Sequence, residues 1–97
     1  MVFGEVKVGA SDQLRITFSH EQGAAIHMGD IILPATPYVI VEDKCSGTLL
    51  DSGSECAVTV QFAPPTAEGF YDYFLMPTDD PEVGTLRINL EGRGITE

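Results

Sequence analysis

The sequence predicts an all-β chain, an antiparallel β-sandwich of seven to eight short strands. Three observations carry that expectation. The stretch Glu55-Cys56-Ala57-Val58-Thr59-Val60-Gln61-Phe62 alternates polar and apolar residues without a break, which is the period of a half-buried strand. Similar extended stretches recur at spacings of roughly ten residues, separated by clusters of Gly, Pro, Asp and Ser. The apolar stretch Ala24 to Leu33, read as a helix, would have to carry Gly29 and stop at Pro34.

In chain order, Phe3 to Val8 reads as the first strand, closed by Gly9-Ala10-Ser11-Asp12. Leu14, Ile16 and Phe18 alternate with Gln13, Arg15 and Thr17 in a second half-buried strand, and Ser19 to Gly23 is a polar turn. Ala24 to Leu33 is expected to be a strand bent or bulged at Gly29-Asp30. Tyr38 to Glu42 is a short extended run behind Pro34 and Pro37, and Asp43 to Ser54 is a loop or short strand. In the regular stretch from Glu55, Cys56, Val58, Val60 and Phe62 point into the core, and Glu55, Ala57, Thr59 and Gln61 point to water. Ala63-Pro64-Pro65 ends it by removing two backbone donors. Phe70 to Met76 is the next strand, Thr78 to Gly84 a turn, and Thr85 to Glu91 the last strand, ended by Gly92-Arg93-Gly94. The shared core is expected to hold Leu14, Ile16, Val58, Val60, Tyr71, Tyr73, Leu75, Leu86, Ile88 and Leu90.

Ninety-seven residues, 43% of them apolar, fit one domain spanning 1-97 with a modest core, and no apolar run approaches the roughly 20 residues that cross a bilayer. Fifteen acidic residues against five basic ones give a net charge of -10, spread along the chain. Such a body repels phosphate backbones and anionic lipid, so nucleic acid is excluded as a partner and membrane insertion of this domain is not expected. Neither a basic nor an apolar leader segment follows Met1, as expected of a domain taken from a longer multidomain chain.

Several pieces then combine: Phe3-Gly4-Glu5-Val6, Cys45 and Cys56 with Gly53 between them, and Val58-Thr59-Val60-Gln61-Phe62-Ala63-Pro64. Gly69 with Tyr71, Asp80-Pro81 and Leu90-Glu91-Gly92-Arg93-Gly94 follow. The whole resembles an immunoglobulin-like domain of the Hydin and abnormal-spindle group, in the form found in bacterial choice-of-anchor D surface proteins. The resemblance implies a seven-stranded sandwich serving as a spacer or protein-interaction module of a secreted, periplasmic or cell-surface protein, with no catalytic residues to carry over. It departs from the family after the second strand, where Ser19-His20-Glu21-Gln22-Gly23 replaces the usual Asn-x-Gly turn.

Cys45 and Cys56 admit three readings, a bridge, a metal pair or two buried thiols. The turn-rich separation and the family pattern favour a disulfide, which places the chain in an oxidising compartment; a cytoplasmic scaffold is the alternative. His20 and His27 stand at no metal-binding spacing from the cysteines and read as surface residues. Ser52 and Ser54 lack a nucleophile-elbow context, no phosphate loop occurs, and the chain is expected to be no enzyme and to need no cofactor. Asp79, Asp80 and Glu82 form a turn, with calcium ligation as the alternative and a calcium- or carbohydrate-binding module as the rival function. With Tyr71, Tyr73 and Leu75 inward, Phe70, Phe74 and Met76 face outward beside Asp72, either covered by neighbouring strands and loops or exposed as a contact face. That stripe is the candidate site for a protein partner or a neighbouring domain of the same chain.

Overall fold

The computed structural model describes residues 1–20, 23–81 and 84–96. Eight strands follow in order: β1 (Val2–Lys7), β2 (Asp12–His20), β3 (Ile26–His27), β4 (Tyr38–Asp43), β5 (Leu49–Leu50), β6 (Ser54–Phe62), β7 (Gly69–Pro77) and β8 (Thr85–Ile95). They form two packed three-stranded sheets, β1-β8-β7 and β2-β6-β4, with β3 and β5 as a small third pair. The all-β sandwich read from the sequence is the observed architecture. Pairing is antiparallel except for β1, which runs parallel to β8.

The alternating strand β6 is the centre of its sheet, between β2 and β4. Its inward residues Cys56, Val58, Val60 and Phe62 are buried as expected. Ala57 is buried too, against expectation, because neighbours on both sides of a central strand cover its outer face and a methyl group does not reach past them. Ala24 to Leu33 is less regular than a single strand. After β3 it runs along the free edge of β7, with Gly29 N donating to Pro77 O at 2.8 Å and Ile32 and Leu75 exchanging bonds of 2.8 and 3.2 Å. This segment extends the β1-β8-β7 sheet past β7.

An aromatic cluster joins the sheets. Phe3 of β1, Tyr38 of β4, Phe62 of β6 and Phe70 of β7 stand with ring centroids 4.9 to 5.9 Å apart, and Tyr38 and Phe62 stack. The Tyr38 hydroxyl donates to Phe70 O at 2.7 Å, so a buried phenol is satisfied across the interface. Burial first, then the charges of Asp72 and Glu91 and the nearby Tyr71, push this phenol up to about 12.

The glycines near the C-terminus do not end β8 as expected; the strand runs on to Ile95. A Cβ at Gly92 would stand 2.6 Å from Phe62 Cε2, and one at Gly94 would stand 2.1 Å from Thr66 O. Both positions sit inside the ladder because ring and loop press directly on the backbone there.

β7 takes the face opposite to the one expected. Its ladder sets Phe74 opposite Ile88 and Met76 opposite Leu86, and directly opposed residues share a face. Ile88 and Leu90 point into the core, so Phe74 and Met76 go with them and are fully buried. Tyr71, Tyr73 and Leu75 therefore take the outer face. The expected inward place for Tyr71 and Tyr73 is thus corrected: tyrosine tolerates a wet face better than Phe or Met does. Asp72 falls on the inner face, where its carboxylate accepts from Ala35 N and Tyr73 N, both at 2.8 Å.

Candidate functional site

The candidate contact stripe of Phe70, Phe74 and Met76 is not a surface. Phe74 and Met76 are at 0% exposure, and half-buried Phe70 packs edge-on against Phe62. Their strand still carries exposed aromatics on its other side: Tyr71 is 76% exposed and Tyr73 42%. Across the ladder Tyr71 opposes Glu91, Tyr73 opposes Asn89 and Leu75 opposes Arg87. The Arg87 guanidinium lies 4.1 Å from the Tyr73 ring centre and donates through Nε to Asn89 Oδ1 at 3.1 Å. These contacts hold the long Arg87 side chain down on the sheet.

A second surface lies on the flank where the two sheets leave edges. β1 lies against β2 on one side of the sandwich, which leaves β4 and the segment along β7 on the other. Ile32 and Leu33 are 53% and 67% exposed; Ile32 opposes Leu75 and so shares the outer face of its sheet, while Val39, opposite Gln61, and Val41 are exposed on β4 of the other sheet. An irregularity between Ile40 and Glu42 breaks β4 pairing there, the position of Val41. Sequence reading missed this flank because Val39 and Ile32 look like ordinary strand apolars; only the topology puts both segments at edges.

Cys45 and Cys56 are joined in a disulfide, S–S 2.15 Å and Cα–Cα 5.2 Å, which ties the loop after β4 to β6. The loop is also held by Asp43, whose carboxylate accepts from Cys45 N at 2.9 Å, Ser46 N at 3.0 Å and the Ser46 hydroxyl. Burial acts to raise the Asp43 carboxyl, but the bonds from Ser46 and Cys45 outweigh it and hold the group below its ordinary range.

His27 lies on the surface as expected, but with a partner. Its backbone N and Nδ1 donate to the two oxygens of Asp79 at 2.8 and 2.9 Å, and these bonds draw the exposed Asp79 carboxyl below its ordinary range. Asp79 is thus committed to His27, while Glu82, the third member of the calcium alternative, lies outside the described residues. Among the described residues no group of three or more His, Cys, Asp or Glu is placed to hold a metal ion. The β2–β6 register sets His20 opposite Ser54, and His20 Nε2 donates to Ala24 O at 2.7 Å. The departing turn after β2 contains Glu21 and Gln22, which lie outside the described residues.

No family model matches the chain, and no curated protein matches it in sequence. Solved structures do resemble it in fold. The secreted serine protease VesC from Vibrio cholerae matches with TM-score 0.75 at 20% identity, over 96% of this chain and 21% of that one. The VesB protease of Vibrio cholerae matches with TM-score 0.77 at 16% identity, over 99% of this chain and 30% of that one. The ASH or PapD-like domain 7 of human CEP192 matches with TM-score 0.72 at 15% identity, over all of this chain and 81% of that one. The chain thus spans well under a third of VesC and no more than that of VesB. At these identities the likeness is one of fold, an immunoglobulin-like sandwich.

Proposed function

We propose that the chain is a noncatalytic spacer and protein-contact module of a secreted, periplasmic or cell-surface protein, of the Hydin-like, choice-of-anchor type, and one domain of a longer chain. Exposed aliphatic side chains at two adjoining sheet edges, Ile32 and Leu33 beside β7 and Val39 and Val41 on β4, carry this reading. Exposed large apolar side chains near sheet edges mark contact sites. The flank would seat a neighbouring domain or a protein partner.

Spacing is supported by shape. The Cα extents are 50 × 19 × 17 Å, and because β1 is parallel to β8 the chain enters and leaves in the same direction, which suits modules strung head to tail. The Cys45–Cys56 bridge and the resemblance to the secreted protease VesC support an oxidising location. A test is the Val41→Glu variant joined to its neighbouring domains. It should leave the melting temperature of the isolated domain within about 2 °C, since Val41 is exposed, and loosen the contact with its neighbour. Unchanged contact in the variant would refute the reading.

A further inference from the structure

We infer that the outer face of the β1-β8-β7 sheet binds a neutral oligosaccharide, with the Tyr71 ring as the stacking platform. This goes beyond the proposed contact and rests on different residues. Tyr71 does not stand straight out into water. A Cβ at Gly69, two residues earlier on the same face, would meet Tyr71 Cε2 at 3.3 Å and its hydroxyl at 3.5 Å, so the ring is laid back along the strand over that glycine. With no side chain at Gly69, the ring rests near the backbone while remaining 76% exposed.

Two shallow depressions meet at this ring. One of about 450 Å3 is bounded by Tyr71, Tyr73, Arg87, Asn89 and Glu91. The other, about 190 Å3, is bounded by Val2, Gly4, Tyr71, Glu91 and Arg93. The cross-strand pair Tyr71 and Glu91 is common to both and forms the saddle between them. A ligand lying across the saddle would place an apolar sugar face on the ring and its hydroxyls in both depressions.

The central strand supplies the hydroxyl partners. Arg87, Asn89, Glu91 and Arg93 are all exposed on β8, spaced about 7 Å apart by two residues of strand rise. Asn89 spends its Oδ1 on Arg87 Nε, which leaves the carboxamide NH2 as donor, and Glu91 offers acceptors. Polar groups thus run through the middle of the face, with the aromatics Tyr71 and Tyr73 along one side on β7. A dry protein interface is arranged the other way, with charge depleted from its centre.

Charge narrows the ligand further. Lys7, Arg87 and Arg93 exceed Glu5 and Glu91 by one charge on this face, while the whole chain carries -10. An anionic glycan would gain that single excess charge and be repelled by the strongly acidic rest of the molecule. A neutral saccharide escapes that repulsion.

The test is a series of amide 1H–15N spectra of the 97-residue chain titrated separately with cellotetraose, chitotetraose, mannotetraose and a heparin tetrasaccharide. At least one neutral sugar should move amides of residues 69–73 and 89–93 in a saturable way. Tyr71→Ala should weaken that binding about tenfold or more, as losing a stacking contact does, and Tyr71→Phe should retain it within a few fold. Val41→Glu should leave the sugar shifts in place, so failure of the contact flank and failure of this inference are read apart. No shift with any neutral sugar, binding that survives Tyr71→Ala, or binding of the heparin fragment alone would each overturn the assignment.

Discussion

The Phe62 ring lies directly on the backbone of Gly92: a Cβ added there would be 2.6 Å from Cε2 and 2.8 Å from Cδ2. Phe62 is the last residue of β6, at 0% exposure, and Gly92 lies well inside β8, so this contact locks the two sheets at the aromatic cluster. Gly92→Ala should lower stability by about 1 to 3 kcal/mol through overpacking, read from denaturant midpoints. A neutral Gly92→Ala would mean the ring has room to withdraw.

Phe74 and Tyr71 separate the two possible faces of β7. Phe74→Ser removes a fully buried ring and places a hydroxyl in its cavity, and should cost about 3 to 5 kcal/mol. Tyr71→Ser acts on an exposed side chain and should cost under about 1 kcal/mol. Thermal or urea unfolding of the two variants decides the matter, and equal losses would contradict the observed register.

The Cys45–Cys56 bridge closes a loop with a sequence separation of 11. In the chain-entropy account that closure contributes about 3 kcal/mol, so the Cys45→Ser, Cys56→Ser double variant should unfold at correspondingly lower urea. Intact mass after alkylation without reductant should show no modified thiol in protein from an oxidising compartment. Two alkylated cysteines would remove the support for an extracytoplasmic location.

Tyr38 sets an alkaline limit. Its folded pKa is raised to about 12 from an ordinary 10, first by burial, so its contribution to stability is complete below about pH 10 and is lost as pH rises toward 12. Tyr38→Phe forgoes the bond to Phe70 O, worth about 1 kcal/mol, and should remove the part of the stability loss between pH 10 and 12 that comes from this group. Parallel stability curves for the two proteins across that window would contradict the burial of the phenol.

Much of the fold was legible in the sequence because its strands alternate: β2, β6 and β8 show their faces in the order of their residues. β7 did not, because Phe70-Tyr71-Asp72-Tyr73-Phe74-Leu75-Met76 is apolar or amphipathic on both faces and only Asp72 breaks it. A period of two cannot choose a face there. The ladder with β8 chooses it, and the candidate site moved with it from Phe74 to Tyr71. Gly92 and Gly94 misled for a related reason, since glycine marks both turns and close backbone approaches. The contact flank was invisible to periodicity because edge position is a property of topology.

Hydrogen exchange of the chain alone and of the longer protein proposed to contain it tests the proposed contact most directly. Amides of residues 29–35 and of Tyr38–Asp43 should exchange more slowly in that longer protein, where a neighbour would cover these two sheet edges. Buried amides of β6 should exchange alike in both. Equal exchange of the two flank segments, with and without the rest of the protein and its partners, would contradict the account.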